Sequence, residues 1–366
     1  MKHALFDKVL WPGERLPDEV VLGLDRFRSG GPLAQAWRRL GGSPTGSRDF
    51  VVALAATMQV EDHFEVLIAR RDKGIAALLP LCRGAGFSAR WRQPGAQEVY
   101  EACDGAYADD AAAAQIASLL AQDRRAAELH RLPAASPLIP ALKAAMRGKG
   151  LVSLRPSLAC PTIALDEKWH RPEQAFNAGR RSDFRRAARR AAAMGRVDYE
   201  IIAPDPDEFD ALFDEALAVE LASWKRAAGT AMAMDAGKES FFRAYFRHAA
   251  QEGTLRIAFM RIDNRPAAMQ LALESDGRFW LFKIGFDEAY ARCSPGALLM
   301  LHTLAYAARR GLAAYELLGG VEPWIAQLWT QDAHPMVHLR TYPYSRQGMV
   351  ALAQDGLAWI KARLSQ

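Results

Sequence analysis

Hydrophobic and polar positions alternate through residues 64–81, FEVLIARRDKGIAALLPL, break at Asp72-Lys73-Gly74, and resume as a second apolar run. A period of two interrupted by a short polar turn predicts a β-hairpin. Residues 255–273, LRIAFMRIDNRPAAMQLAL, repeat the design with Asp263 in the place of Asp72. Arg70 and Arg261 stand two residues before the turns, and the pairs Ala76-Ala77 and Ala267-Ala268 follow them. Downstream, Asp104-Gly105-Ala106-Tyr107-Ala108 matches Asp287-Glu288-Ala289-Tyr290-Ala291, Glu128-Leu129 matches Glu316-Leu317, and Pro137-Leu138-Ile139 matches Pro323-Trp324-Ile325. Blocks in the same order predict a duplication, each half reading hairpin, strand, helix, strand, helix, strand.

Between the halves, residues 173–196 carry Arg180, Arg181, Arg185, Arg186, Arg189, Arg190 and Arg196 among alanines, a composition that predicts a helix, with Ser182 as its cap. It reads either as a site for phosphate, tRNA or lipid headgroups or as a solvated linker balanced by the acids of residues 205–214. Leu352, Leu357, Ile360 and Leu364 at helical spacing predict a closing helix docked on the core. The expected domains are 1–165, a basic linker helix over 166–200, 201–345, and a terminal helix over 346–366.

Composition narrows the class. The 366 residues suffice for two to three domains at ~150 residues each. Half are hydrophobic and 24% charged, which excludes a disordered chain, a collagen and a coiled coil. No apolar run approaches the ~18 residues of a membrane span. The first seven residues show no apolar core of a secretion signal, and Cys82, Cys103, Cys160 and Cys293 have no metal or disulfide spacing. The expectation is a reduced cytoplasmic location. Eight histidines without an HxH or HxxxH pattern give an expectation of no metal. A net charge of +5 permits an anionic ligand, membrane surface or nucleic acid.

The chemical clue is a difference between the halves. The second has Arg292-Cys293-Ser294-Pro295-Gly296-Ala297, where Ser294 suits a helix cap, Pro295 the first turn, and Gly296 the close approach of another molecule. Such a terminus binds phosphate through free N–H groups and the helix dipole. The first half has Asp109-Asp110-Ala111 there, carboxylates that satisfy the terminus and repel an anion. No GxGxxG and no GKS or GKT occurs, so neither a dinucleotide fold nor a P-loop is indicated.

Glu220, Ser223-Trp224-Lys225, the 255–273 hairpin, Phe282-Lys283-Ile284-Gly285-Phe286-Asp287, Tyr290, Ser294-Pro295-Gly296-Ala297-Leu298-Leu299 and Leu317-Leu318-Gly319-Gly320 together resemble the GNAT acyltransferase superfamily. Within it they resemble the tandem branch of FemAB-type transferases and CelD-type, BioF2-like acetyltransferase domains linked to exopolysaccharide synthesis. The resemblance covers about residues 171–344 and implies an α/β fold of two tandem GNAT-like domains. Their mixed, mostly antiparallel sheets would be flanked by helices, the first domain being degenerate.

It implies an acyltransferase that moves an acyl group from acyl-CoA or acetyl-CoA to an amine or hydroxyl by direct attack, after a base or water removes a proton. The acceptor would be a sugar, amino acid or lipid precursor such as a sphingoid base. The implied donor-binding residues are Phe282, Ile284, Gly285, Phe286, Arg292, Ser294, Pro295, Gly296 and Ala297. Candidate catalytic or acceptor-site residues are Trp224, Lys225, Lys283, Asp287, Tyr290 and His338.

Each candidate also has a structural reading. Trp224 suits a core position and Lys225 solvent; Asp287 and Tyr290 have counterparts in Asp104 and Tyr107. His338, in a last strand over 336–342, faces the cleft if alternation holds. Lys283 interrupts an apolar strand, which is costly unless it is paired or faces a cleft. Cys293 has no neighbouring histidine and reads as a small loop residue.

Two departures bear on substrate. The phosphate loop reads Arg-x-x-x-Gly-Ala instead of the superfamily's usual Arg/Gln-x-x-Gly-x-Gly/Ala. Trp324-Ile325 stands where FemAB-type enzymes often carry an aromatic-lysine pair. Aminoacyl transfer from tRNA and a non-catalytic envelope scaffold are the alternative functions, and peripheral contact with the inner membrane face goes with a lipid acceptor.

Overall fold

A computed structural model describes residues 19–23, 31–58, 63–71 and 74–364. The expected first-hairpin turn at Asp72 and the first seven residues lie outside them. In chain order the early elements are β1 (Glu19–Gly23), α1 (Pro32–Leu40), α2 (Arg48–Thr57), β2 (His63–Arg71), β3 (Gly74–Arg83), β4 (Trp91–Arg92), β5 (Ala106–Tyr107), α3 (Asp110–Gln122), β6 (Ala127–Pro133), α4 (Leu138–Ala145) and β7 (Gly150–Ala164). There follow α5 (Ala178–Ala192), β8 (Val197–Ile202), α6 (Phe209–Leu221), α7 (Trp224–Ala227), α8 (Ala236–Gln251), β9 (Leu255–Ile262), β10 (Arg265–Ser275) and β11 (Arg278–Phe286). The last are α9 (Pro295–Arg309), β12 (Ala314–Glu316), α10 (Pro323–Leu328), β13 (Ala333–Pro343) and α11 (Arg346–Leu364).

The chain divides into two compact units, one built from residues 1–55, 59–158 and 335–366, the other from 56–58 and 159–334. In the first, β1, β2, β3 and β4 pair antiparallel in that order, β4 runs parallel to β6, and β6 pairs antiparallel with β13. In the second, β8, β9, β10 and β11 pair antiparallel, β11 runs parallel to β12, and β12 pairs antiparallel with the end of β7. The two pairing schemes match in order and direction, except that in the first unit the short β5 also pairs with β3. The strand that follows the first repeat finishes the second sheet, and the strand that follows the second finishes the first.

The α/β class and the repeated element order expected from the sequence hold. The β9–β10 turn is Asp263-Asn264 with φ of 49° and 63°, the pair of left-handed residues that matches the twist of a two-residue hairpin. The basic segment is not a linker. Phe184, Ala187 and Ala191 of α5 are buried in the second unit's core with Trp329 and Leu304, so the arginines form only its outer face. Its cap is Asn177, whose Oδ1 accepts from the Arg180 N–H at 2.9 Å, and Ser182 lies inside the helix. Asn177 wins because its side chain already reaches the third amide of the first turn.

On the other face of the second sheet, Phe209, Phe213, Phe241, Phe242, Tyr245 and Phe246 of α6 and α8 form a ring cluster that receives Phe282 of β11. The expectation of a fully docked closing helix is only half met. Gly348 and Ala351 of α11 are buried, whereas Leu357, Ile360 and Leu364 are exposed.

Candidate functional site

β11 is nine residues long, but β12 pairs only with its first three, Arg278, Phe279 and Trp280. Beyond them no strand among the described residues pairs with the edge toward β12, which leaves backbone donors and acceptors for another molecule. The pairing with β10 contributes a second irregularity: Leu271 faces Lys283 and Ala272 faces Leu281, so Phe282 is an extra residue. A bulge of this kind bends the strand and re-aims its side chains. Phe282 packs on Tyr245 and Phe246 while Lys283 lies over the Phe242 ring at 4.2 Å, so two successive side chains face α8. Ile284 and Phe286 pack on the opposite, α9, side.

The start of α9 adjoins the end of this strand. Ser294 adopts φ 50° and ψ 54°, a left-handed conformation that costs a non-glycine residue about 1–2 kcal/mol. The expectation that Ser294 caps the helix through its side chain fails, since no such bond forms. Its carbonyl instead takes the Ala297 and Leu298 N–H groups at 3.1 and 3.2 Å. Pro295 has no N–H, and that of Gly296 makes no hydrogen bond among the described residues. A Cβ on Gly296 would meet only Phe286 Cδ1, at 3.6 Å, so internal packing does not demand a glycine there. Arg292 is exposed beside this terminus, and Arg190 of α5 donates to its carbonyl at 3.1 Å. An amide and a dipole end stand here with Arg292 four residues before the glycine and the Arg190 guanidinium on the Arg292 carbonyl, an arrangement suited to an anion.

The free part of β11 is tied down from α6 and α7. Lys225 Nζ donates to Glu220 Oε1 at 2.8 Å and to the Ile284 carbonyl at 2.6 Å. Glu220 is 1% exposed, and its Oε2 accepts the Met232 N–H at 2.9 Å. Ser223 caps α7 on the Lys225 amide and donates its hydroxyl to the Glu220 carbonyl. Lys225 is therefore paired, and the solvated reading of it fails. Gly285 has a packing role: a Cβ there would lie 2.9 Å from Glu220 Cα. Trp224 is 47% exposed, so it is not a core residue.

The other candidates fall as follows. Asp287 caps the 3-10 turn Glu288–Cys293 by accepting the Ala289 N–H at 2.9 Å, and Tyr290 packs partly buried on the core. Cys293 is fully buried with its thiol on the Tyr290 carbonyl, and burial pushes its pKa up, away from nucleophile behaviour.

His338 is not in the second unit at all. It stacks on His130 at 3.9 Å, and its Nε2 donates to Glu128 Oε1 at 3.1 Å, because β13 pairs with β6. Burial alone would raise the Glu128 carboxyl. The two histidines and the Arg340 guanidinium outweigh it and hold Glu128 well below the usual carboxylate range. The ligand atoms of Glu128, His130 and His338 lie within 4.8 Å of one another, a grouping invisible to a search for HxH because two strands supply it. Arg340 and Arg90 already neutralise the carboxylate.

Glu316 is a buried group that no motif in the sequence singles out; its Oε2 meets His334 Nε2 at 2.9 Å and its Oε1 accepts from Arg278. Its alignment with Glu128 was the available signal, since both sit on the strand after the repeated helix and hold a histidine and an arginine.

In the first unit the equivalent helix start is closed. Asp109 caps α3 by accepting the Ala112 N–H at 2.8 Å, and Arg71 grips the same carboxylate at 2.6 and 3.0 Å. Arg71 pulls the Asp109 pKa down to about 2.

Residues 178–324 match the family model described as Acetyltransferase (GNAT) domain. No curated protein sequence matches the chain. Among solved structures, FemX is similar at 10% identity with a TM-score of 0.58, over 86% of this chain and 96% of that one. The C-terminal domain of a protein described as a lysylphosphatidylglycerol synthetase, from Agrobacterium fabrum, is similar at 12% identity and TM-score 0.52, over 88% and 93%. Likeness at such identity speaks to fold, and the fold agrees strand by strand with the duplicated scheme. Residues 178–324 therefore match a GNAT acetyltransferase domain model, and the chain's two-unit fold is similar to that of FemX.

Proposed function

We propose that the second unit transfers an acyl group from acyl-CoA to an amine or hydroxyl acceptor. The observation that carries this reading is the open start of α9, with the Gly296 amide free and Arg292 and Arg190 beside it, next to the unpaired edge of β11. The donor's pyrophosphate would sit on that terminus and its pantetheine arm along residues 282–286. A backbone N–H of the free edge would polarise the thioester carbonyl as charge develops on its oxygen. The acceptor attacks the carbonyl carbon directly and loses its proton to water or a base, while CoA leaves as the thiolate. The buried, raised-pKa thiol of Cys293 argues against an acyl-enzyme. Trp224, exposed beside the Lys225 tie, is the candidate acceptor contact, and lipid or sugar amines fit its apolar face. A thermal-shift series with acyl-CoAs of increasing chain length tests the donor: saturation at 100 times the dissociation constant stabilises by ~2.7 kcal/mol. No shift with any acyl-CoA would remove this reading.

A second reading, transfer from aminoacyl-tRNA, is favoured by one observation. Arg181, Arg185 and Arg189 are exposed on α5 without acidic partners among the described residues, and Arg190 joins the same helix to the α9 start. Under it, tRNA binds and its affinity falls steeply with salt.

A further inference from the structure

We infer that α11 of the first unit is a docking surface for an anionic membrane. Met349, Val350, Ala353, Leu357, Ile360 and Leu364 fall within an arc of about 100° at 3.6 residues per turn, and all are exposed. Leu357 is 61%, Ile360 48% and Leu364 82% exposed. The helix is held in place by its other side. Gly348 packs so closely that a Cβ would meet the Pro343 carbonyl, and Asp355 accepts from Arg90 at 2.8 Å and from the Tyr342 hydroxyl at 2.5 Å. The stripe is thus a fixed outward face that no part of the described chain covers, and apolar continuity of that kind marks an interaction site.

Charge identifies the occupant. Lys361 and Arg363 flank the stripe and Arg346 stands in line with it at the helix start, and none of the three has an acidic partner among the described residues. The helix's acid, Asp355, is on the docked side. Arg363 lies over the Trp359 ring at 4.2 Å, an aromatic and a cation placed together as they are at a lipid headgroup boundary. At the start of α11 a groove of about 570 Å³ continues the same character, with Phe87 and Tyr344 exposed among Arg124, Lys149 and Arg346. Its acid, Asp123, is engaged by the Trp91 indole.

An apolar stripe with cationic flanks is the composition of a helix lying in an anionic interface. A second copy is the poorer fit, since a two-fold pairing along the helix would bring the cations Arg346, Lys361 and Arg363 of one copy against those of the other. The outward face of α5 is basic too, but it carries no large apolar side chain and offers only electrostatic contact. The surface is independent of the donor, so it stands or falls apart from the acyl-transfer reading.

Flotation of the full chain with vesicles of phosphatidylcholine, and of equal parts phosphatidylcholine and phosphatidylglycerol, tests it. The expected result is recovery with the anionic vesicles and little with the neutral ones. Leu357→Glu with Ile360→Glu should lower partition about a hundredfold at unchanged melting temperature, because both side chains are exposed in the free protein. Lys361→Gln and Arg363→Gln should each lower it about fivefold. Failure to float with the anionic vesicles overturns the inference. So does flotation that survives the double substitution but is lost on Arg185→Glu with Arg189→Glu, or a dimer in sedimentation that the double substitution converts to monomer.

Discussion

The starts of α3 and α9 are the same position in two copies of one pairing scheme, and they are finished in opposite ways. The first is closed by its own carboxylate, which accepts from Ala112 and is gripped by Arg71. The second has a left-handed serine with no side-chain cap, a proline without an N–H, and a glycine whose amide makes no hydrogen bond among the described residues. A helix terminus can be closed by the chain or left open, and the repeated scheme of this protein contains one of each. The strand edges differ in the same sense: β4 has two residues, whereas β11 runs six beyond its parallel partner.

The largest effect is expected where the open edge is held in place. Glu220→Ala leaves the Lys225 ammonium over the β11 carbonyl without its buried counter-charge. It should cost about 3 kcal/mol in urea unfolding, the range found when one member of a buried pair is removed. A loss within experimental error would mean that the edge is held by something else.

Next, Ser294→Asp gives the second unit the first unit's solution, a carboxylate at the helix cap. Like charges ~4 Å apart at an effective dielectric near 20 repel by ~4 kcal/mol, so acyl-CoA affinity by calorimetry should fall a hundredfold or more. Melting temperature should hold or rise, because the carboxylate complements the dipole. Unchanged affinity would break the comparison.

The reverse experiment should give less. Asp109→Ser with Asp110→Gly should not create a second site, so titration should still find one donor per chain, at a lowered melting temperature. Asp109 also sets a pH window. Its folded pKa is below the unfolded value, so its contribution is complete above pH 3.8 and is lost as pH falls through about 2. The double variant should therefore lose less stability than the parent over that interval. The smallest effect is expected at Lys283, whose contact with the Phe242 ring is worth about 1 kcal/mol. Lys283→Met should change stability by no more than that and leave donor affinity untouched.

The hairpins, the α9 start with its proline and the tandem order were legible because alternation, turn residues and caps are local signals. The Asp109 closure was legible too, since a capping aspartate works within three residues. The Phe282 bulge was not: a bulge is defined by the register of the partner strand, and FWLFKIGF alternates poorly however it is read. His338 was misplaced for the same reason, because its surroundings come from β6, about 210 residues earlier in the chain. The end of α11 was misread because apolar spacing locates a helix face but does not say what covers it. Trp224 was ambiguous between core and surface, since α7 is a single turn with no periodicity to orient it.

The crossed-over strands have a consequence for how the molecule is made. Residues 159–334 contain nearly the whole second unit, while the first must wait for 335–343 to supply the strand that pairs with β6. During synthesis the later-encoded unit is therefore the earlier one to be complete, and the earlier-encoded one emerges with β6 bare along one edge. An exposed strand edge invites wrong partners. A growing chain halted after residue 334 should thus hold a folded second unit joined to a first unit that is still looking for its last strand.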